Sequence, residues 1–237
     1  KHKTAYAIGV RLVGSEMCIR DSVRPDQTVV GIEGGAPHGP SPGTAADFQG
    51  GYLYVPGVDM SKVISGEGSY TLAAWIKPSD LGGNKFLFGQ SSQGIHNGIR
   101  NGGFLHQAHW GADTNGATNL NDYDASANDG WVHAAWVYDG ATDTGKIYLD
   151  GVEDYSGDKR APNGSGNLIV GGSNGGGDNF RGLVDEIAVW DIPASADVIA
   201  ALAAGTSPLE VGGPSAETPF LVTAFSYLSL IHISEPT

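Results

Sequence analysis

Residues 131–138 read WVHAAWVY, a run that is largely apolar at both its odd and its even positions. Successive side chains of a β-strand point to opposite faces of a sheet, so this strand would be apolar on both faces. Such a strand is predicted to lie at the centre of a sheet, with packed material on each side. His133 falls among the apolar positions, and we expect it to be a core residue.

Short alternating segments separated by glycine-containing dipeptides make up most of the remaining chain. Asp150-Gly151 is a strong hairpin signal, because both central positions of a type I′ turn need positive φ. Asn101-Gly102 predicts a second hairpin, and Asn115-Gly116 suggests a third reversal. The predicted strands are residues 28–32, 45–49, 52–55, 69–77, 85–91, 95–100, 103–110, 117–121, 131–138, 146–149, 152–155, 167–170 and 182–190.

One helix is predicted within residues 191–205. Ser195 can cap its N-terminus, Asp197 suits the first turn, and Gly205 ends it. One small apolar face is formed by Val198, Ile199 and Leu202. The chain is therefore predicted to be mostly β, with a single short helix near its C-terminal end.

Two motifs resemble the laminin-G-like group of concanavalin A-like jelly rolls. Residues 131–151 contain W-x-H-x-A-x-x-Y-D-G followed by K-x-Y-x-D-G. The resemblance covers about residues 48–204 and implies an all-β, two-sheet antiparallel jelly-roll sandwich with one short C-terminal helix. Matches to the closing segment of that group are Phe180, Gly182, Leu183, Asp185, Glu186, Ile187 and Trp190.

The two ends of the chain look unrelated to each other as protein sequences. Back-translation makes residues 13–22 and 228–237 opposite strands of one DNA that is similar to a sequencing adapter, and residues 1–6 resemble translated primer. We therefore interpret residues 1–22 and 228–237 as adapter-derived parts of a metagenomic fragment; the alternative is a chance similarity of two real termini. The jelly-roll domain is then expected over residues 23–206, and residues 207–227 would be a linker and the truncated start of a following module. Because the only cysteine, Cys18, lies in an adapter segment, cysteine usage says nothing about redox compartment.

The chain is strongly acidic. Its formal net charge is −13, and residues 23–227 alone carry 9 Lys and Arg against 23 Asp and Glu, a net charge of −14. This charge argues against nucleic acid and against anionic membranes as partners. The apolar run over residues 219–233, about half of which is adapter-like, is too short for membrane insertion.

Trp110 is the aromatic residue with the least core-like setting, at the end of a predicted strand. His106 lies on the same face, and Asp113 and Asn115 follow just beyond. An exposed indole in this position could stack on the apolar face of a sugar ring. We take these four residues as candidate ligand-binding residues; the alternative is that Trp110 closes the end of the sandwich.

Two acidic, amide-rich loops are expected to meet at one end of the sandwich. They span residues 122–130 and 172–179, and calcium, a common structural ion in similar folds, binds carboxylate and carbonyl oxygens. Solvated turns are the alternative for the loops, and bonding to backbone N–H groups is the alternative for the strand residue Asp185. The candidate calcium ligands are Asp122, Asp124, Asp178, Asn179 and Asp185.

Catalysis is not expected. Glycoside hydrolases of this fold resemble one another in a strand motif E-x-D-x-x-E, which is absent here, and alternation would point Asp185 and Glu186 to opposite faces. The resemblance favours a non-catalytic carbohydrate-binding or adhesion module of a secreted or surface protein, with a glycan or a cell-surface or matrix component as partner. The alternatives are a structural spacer or protein-interaction module, and a glycoside hydrolase or lyase.

Overall fold

A computed structural model describes residues 29–33, 45–60, 68–90, 92, 94–173, 177–206, 208, 211 and 221–223. The adapter-like segments, residues 1–22 and 228–237, lie outside the described residues. In the described part, the strands are β1 Val29–Glu33, β2 Ala45–Gln49, β3 Leu53–Asp59, β4 Tyr70–Pro78, β5 Lys85–Gln90, β6 His96–Arg100, β7 Phe104–His109, β8 Ala112–Asn119, β9 Val132–Asp139, β10 Thr144–Leu149, β11 Val152–Asp158, β12 Asn167–Val170, β13 Arg181–Trp190 and β14 Leu221–Thr223.

The described strands form two antiparallel sheets packed face to face, which confirms the predicted jelly-roll sandwich. One sheet runs in the order β1-β2-β13-β4-β9-β10-β11, with β14 paired to β13; the other runs β3-β12-β5-β6-β7-β8. β9 lies between β4 and β10, as the apolar character of both its faces predicts. The main core fills the space between the sheets, where Trp136 is fully buried beside Phe88.

The outer face of the eight-stranded sheet is covered. The helix α1, Ala196–Ala203, is capped by the Ser195 side chain as predicted. Its residues Ile199 and Leu202 pack on the sheet next to Trp190. The outer face of this sheet is therefore closed to large ligands along the part that α1 covers.

Two turns differ from the sequence prediction. Asn115-Gly116 is not a reversal: both residues lie inside β8, and the chain turns at Trp110-Gly111, where Gly111 has a φ of 79°. The turn at Asn101-Gly102 also includes Gly103, with a φ of 126°. This third turn residue sets the register in which Gly98 lies opposite His106.

The alternation predicted for β13 is also wrong at one point. A β-bulge lies between Asp185 and Ala188, and Glu186 has a φ of 50°. The extra residue reverses the alternation, so Val184 and Ile187 both face the main core although they are three positions apart. Glu186 lines a cavity of about 10 Å³ on the outer face of the sheet. Trp75, His133 and Ala188 line the same cavity.

The strand β14 is part of the eight-stranded sheet of the jelly-roll sandwich. It pairs with Ile187–Val189 of β13, although the sequence places residues 221–223 in the start of a following module. Among the helices that the structure describes, none is long and apolar enough to cross a membrane.

Candidate functional site

The four candidate ligand-binding residues lie together on the outer face of the six-stranded sheet. Leu105 faces the main core, so the neighbouring His106 points outward. In the ladder between β7 and β8, His106 lies opposite Asn115 and Ala108 lies opposite Asp113. The reversal at Trp110-Gly111 thus brings the outward-facing residues of two strands side by side.

Hydrogen bonds join these residues to an arginine of β6. The Nδ1 atom of His106 lies 2.7 Å from Oδ1 of Asn115. On the other side of the ring, Nη1 of Arg100 lies 3.2 Å from Nε2 of His106 and 2.5 Å from Oδ2 of Asp113. Arginine only donates hydrogen bonds, so Nε2 of His106 accepts, and its proton is on Nδ1, which donates to Asn115.

Burial and charge set the protonation states in this group. Burial lowers the pKa of His106 to about 4, against the smaller opposing effects of Asn115 and Asp113. Burial alone would raise the pKa of Asp113, but the hydrogen bond from Arg100 and the nearby imidazoles bring that pKa below its ordinary value. At neutral pH the group therefore consists of a neutral imidazole, a carboxylate and a guanidinium.

Trp110 stands at the edge of this group with 57% of its surface exposed. Its indole meets the ring of His96 edge-on, with centroids 6.2 Å apart, and its carbonyl accepts a hydrogen bond from Arg160. The indole also lines an open cleft of about 240 Å³, whose other lining residues are Ser92, Asn163, Gly164 and Ser165. This exposure leaves the indole accessible to a ligand, and the role of Trp110 stays a prediction.

Two members of the group, His96 and Arg100, were not predicted as site residues. Both lie on β6, with Gly98 between them, and both face outward because Ile99 faces the core. Phe86 of β5 forms an apolar floor, with its ring centroid 5.0 Å from that of His96. A two-residue turn would have paired β6 and β7 one residue out of register, so only the extra Gly103 places these side chains beside His106.

The candidate calcium ligands, unlike the candidate ligand-binding residues, do not lie together. Both loops lie at the predicted common end of the sandwich, since β8 and β12 run in the same direction. Among the described His, Cys, Asp and Glu residues, however, the only group of three with ligand atoms close together lies elsewhere, on the outer face of the six-stranded sheet. The structure therefore does not gather the predicted carboxylates at one point.

Most of the candidate calcium ligands already take part in local hydrogen bonds. The backbone N–H of Asp122 donates to Asn119, Asp124 accepts from the N–H of Ser126, and Asp178 accepts from Asn84. Asn179 donates to the carbonyl of Gly50. Asp185 is fully buried and accepts from the N–H of Glu186 in the bulge. Calcium binding by these residues stays a prediction, which melting curves in calcium and in chelator would test.

Comparison with solved structures supports the architecture. A candidate carbohydrate-binding protein from Bacteroides ovatus superposes with a TM-score of 0.55 at 21% identity, over 76% of this chain and 50% of that one. Domain 4 of AbnA, an extracellular arabinanase from Geobacillus stearothermophilus, in complex with arabinotriose, gives 0.53 at 21% identity, over 77% of this chain and 85% of that one. The chain thus spans half of the Bacteroides protein. No curated protein sequence matches it.

The family assignment comes from the sequence itself. A laminin-G-type family model, described as the concanavalin A-like lectin/glucanases superfamily, matches residues 48–200. This match covers more than half of the chain and includes both motifs that predict the fold. The two-sheet antiparallel sandwich formed by the described strands agrees with this match. The chain therefore belongs to the concanavalin A-like lectin/glucanases superfamily.

Proposed function

We propose that the chain is a non-catalytic carbohydrate-binding module, and that it binds glycans at the outer face of the six-stranded sheet. The observation that carries the proposal is the exposed indole of Trp110, which lines an open cleft and contacts His96 in the neighbouring group of polar side chains. A flat aromatic surface can bury the apolar face of a pyranose or furanose ring. The same surface gives no reason to expect a long apolar ligand, because its surroundings are polar.

The polar side chains supply the complementary contacts. Sugar hydroxyls both donate and accept hydrogen bonds, so a sugar site needs donors and acceptors on one surface. Here Arg100 donates, Asp113 accepts, and Asn115 belongs to the same network. These side chains hold one another in place before any ligand arrives, which reduces the entropy lost on binding.

Relatives of the fold agree with a glycan ligand. The Geobacillus domain was solved with arabinotriose, and the Bacteroides protein is described as a candidate carbohydrate-binding protein. At 21% identity these similarities support the fold alone. The proposal of a glycan ligand for this chain therefore depends on the residues of its own candidate site. We further propose a secreted or cell-surface location, in keeping with an acidic chain whose partner is a glycan.

A glycan array followed by calorimetry on the best hits tests the proposal. Trp110→Ala is expected to weaken binding about fivefold, since loss of aromatic stacking is worth on the order of 1 kcal/mol. Val152→Ala is the matched control, because Val152 is the other large hydrophobic residue that is exposed in the described structure, at 71%, and it lies in the other sheet. Absence of any glycan ligand, or equal binding by Trp110→Ala, would contradict the proposal.

Product analysis separates binding from catalysis. Each glycan that binds is incubated with the protein, and the reducing ends are measured over time. A non-catalytic module leaves the oligosaccharide intact, whereas release of shorter products that Asp113→Asn prevents would instead support a hydrolase or lyase.

A further inference from the structure

We propose that His96, His106 and Asp113 form a binding site for a first-row divalent metal ion such as Zn²⁺, and that the guanidinium of Arg100 competes with the ion for that site. The site goes beyond glycan binding and does not depend on it. The three residues lie on β6, β7 and β8, on one face of the sheet, and their ligand atoms all lie within 4.8 Å of one another.

The spacing of the ligand atoms suits a small ion. Nε2 of His96 lies 4.0 Å from Oδ1 of Asp113, and Nε2 of His106 lies 3.9 Å from Oδ2 of the same carboxylate. Ligands of tetrahedral zinc at about 2.0–2.1 Å would be separated by roughly 3.4 Å. Small side-chain rotations therefore suffice to close the site around an ion, and a fourth position would stay open to water.

The tautomer of His106 is already the one that a metal requires. Its Nδ1–H donates to Asn115, which leaves the lone pair of Nε2 facing Asp113. An outer hydrogen bond of this kind is the usual way in which proteins orient a histidine ligand. Asn115 is thus a positioning residue, which acts through His106 rather than on the ion.

A cation already lies between the proposed ligands. Nη1 of Arg100 is within hydrogen-bond distance of both Nε2 of His106 and Oδ2 of Asp113. The lone pairs that hold this guanidinium are those that would hold a metal ion. Arg100 is a long side chain at the sheet surface with about a third of its area exposed, so it can swing into solvent when an ion takes its place.

The ligand chemistry selects the ion. Two imidazoles with one carboxylate favour zinc, nickel or copper, whereas calcium and magnesium prefer sites built entirely from oxygen. Zn²⁺ and Co²⁺ are therefore the probes, and Ca²⁺ is the negative control. Calcium should give no heat of binding that depends on His96 or His106.

Calorimetry with Zn²⁺ on the full chain, without glycan, tests the site. His96→Gln and His106→Gln are each expected to lower the affinity at least tenfold, and Asn115→Ala tenfold or more. His109 and His133 are buried, and the remaining histidines, His2, His38 and His232, lie outside the described residues. A variant with these three changed to Gln is the matched control and should bind as the parent does. Loss of binding in that control, with His96→Gln unchanged, would overturn the proposal.

The competition by Arg100 gives a test that misfolding cannot imitate. Arg100→Gln removes the internal cation and is expected to tighten Zn²⁺ binding about tenfold, because the ion no longer has to break a charge-assisted hydrogen bond. Equal or weaker binding by Arg100→Gln would exclude the competition. Since no glycan is present, a failure of glycan binding leaves this result unaffected.

Trp110 offers a local reporter of the ion. Its ring lies edge-on to His96, so Co²⁺ at the site should quench its fluorescence most strongly, because the other four tryptophans lie in or directly before strands of the other sheet. Trp110→Phe should abolish most of the quenching and retain Zn²⁺ binding in the calorimeter. Quenching that persists in Trp110→Phe would place the ion elsewhere and overturn the assignment.

Discussion

Tyr70 joins the two sheets at the scale of single residues. Its hydroxyl donates to Nε2 of His109 at 2.7 Å, because Nδ1 of that ring donates to the carbonyl of Arg160. The same hydroxyl accepts from Gln107 at 3.0 Å and from Asn97 at 3.3 Å. One fully buried phenol thus satisfies three polar side chains inside the sandwich.

Tyr70→Phe should therefore destabilise the fold without changing its packing volume. Three buried groups would lose a partner, and we expect a decrease of about 1–3 kcal/mol in the free energy of unfolding, measured by urea denaturation. Tyr155→Phe is the control, since its hydroxyl bonds to no described residue, and it should change stability by less than about 0.5 kcal/mol. Equal effects of the two variants would argue against the network.

The edges of the two sheets are joined at the scale of strands. β8 and β11 end their respective sheets, and Asp154 of β11 accepts hydrogen bonds from both the backbone N–H and the hydroxyl of Thr118 in β8. A Cβ atom on Gly116 would lie 1.9 Å from the Asp154 carboxylate. Gly116 is thus needed for the approach of the neighbouring sheet, and its backbone makes no turn.

A double-mutant cycle measures this junction. Asp154→Ala and Gly116→Ala should each lower the free energy of unfolding, by about 1 kcal/mol or more, because each removes the same contact between the edges. The double variant should lose less than the sum, with a coupling of at least about 0.5 kcal/mol. Strictly additive losses would show that Gly116 and Asp154 act independently.

Gly116 also shows why the strands could be predicted more reliably than the site. The apolar pattern of residues 131–138 and the turn signal Asp150-Gly151 were sufficient to predict the central strands, because a strand that is apolar on both faces has few positions other than the centre of a sheet. Asn-Gly suits a hairpin turn in general, but here a distant carboxylate dictates the glycine. Asn115 and Gly116 therefore lie inside β8, and the chain turns at Trp110-Gly111 instead. The position of this turn determines which residues of β8 lie beside those of β7 on the face next to Trp110. Contacts between strands far apart in sequence cannot be inferred from local pattern alone.

Buried histidines make the stability of the whole molecule depend on pH. Burial lowers the pKa of His106 to about 4 and the pKa values of His109 and His133 to about 3. In the unfolded chain these groups titrate near 6.5, so between about pH 4 and 6.5 the unfolded state binds more protons than the folded state. The contribution of these neutral histidines to stability is therefore fully present above pH 6.5 and is lost as the pH decreases.

Urea denaturation between pH 7.5 and 5 should show this loss. Each buried neutral histidine contributes up to about 1.4 kcal/mol per pH unit below 6.5. His133→Gln should make the decline shallower by about a third, even if its stability at pH 7.5 is lower. A flat profile over this range, or a slope that His133→Gln leaves unchanged, would contradict the assignment of these rings as neutral and buried.

The two sheets present unlike outer faces. The eight-stranded sheet is covered in part by α1, while the six-stranded sheet exposes Trp110 and the polar residues around it. If the proposed glycan site is right, the described residues offer one such face per copy, which corresponds to a valency of one. A single copy would then coat a long polysaccharide side by side with other copies without cross-linking separate polymers, and agglutination would require several copies joined together.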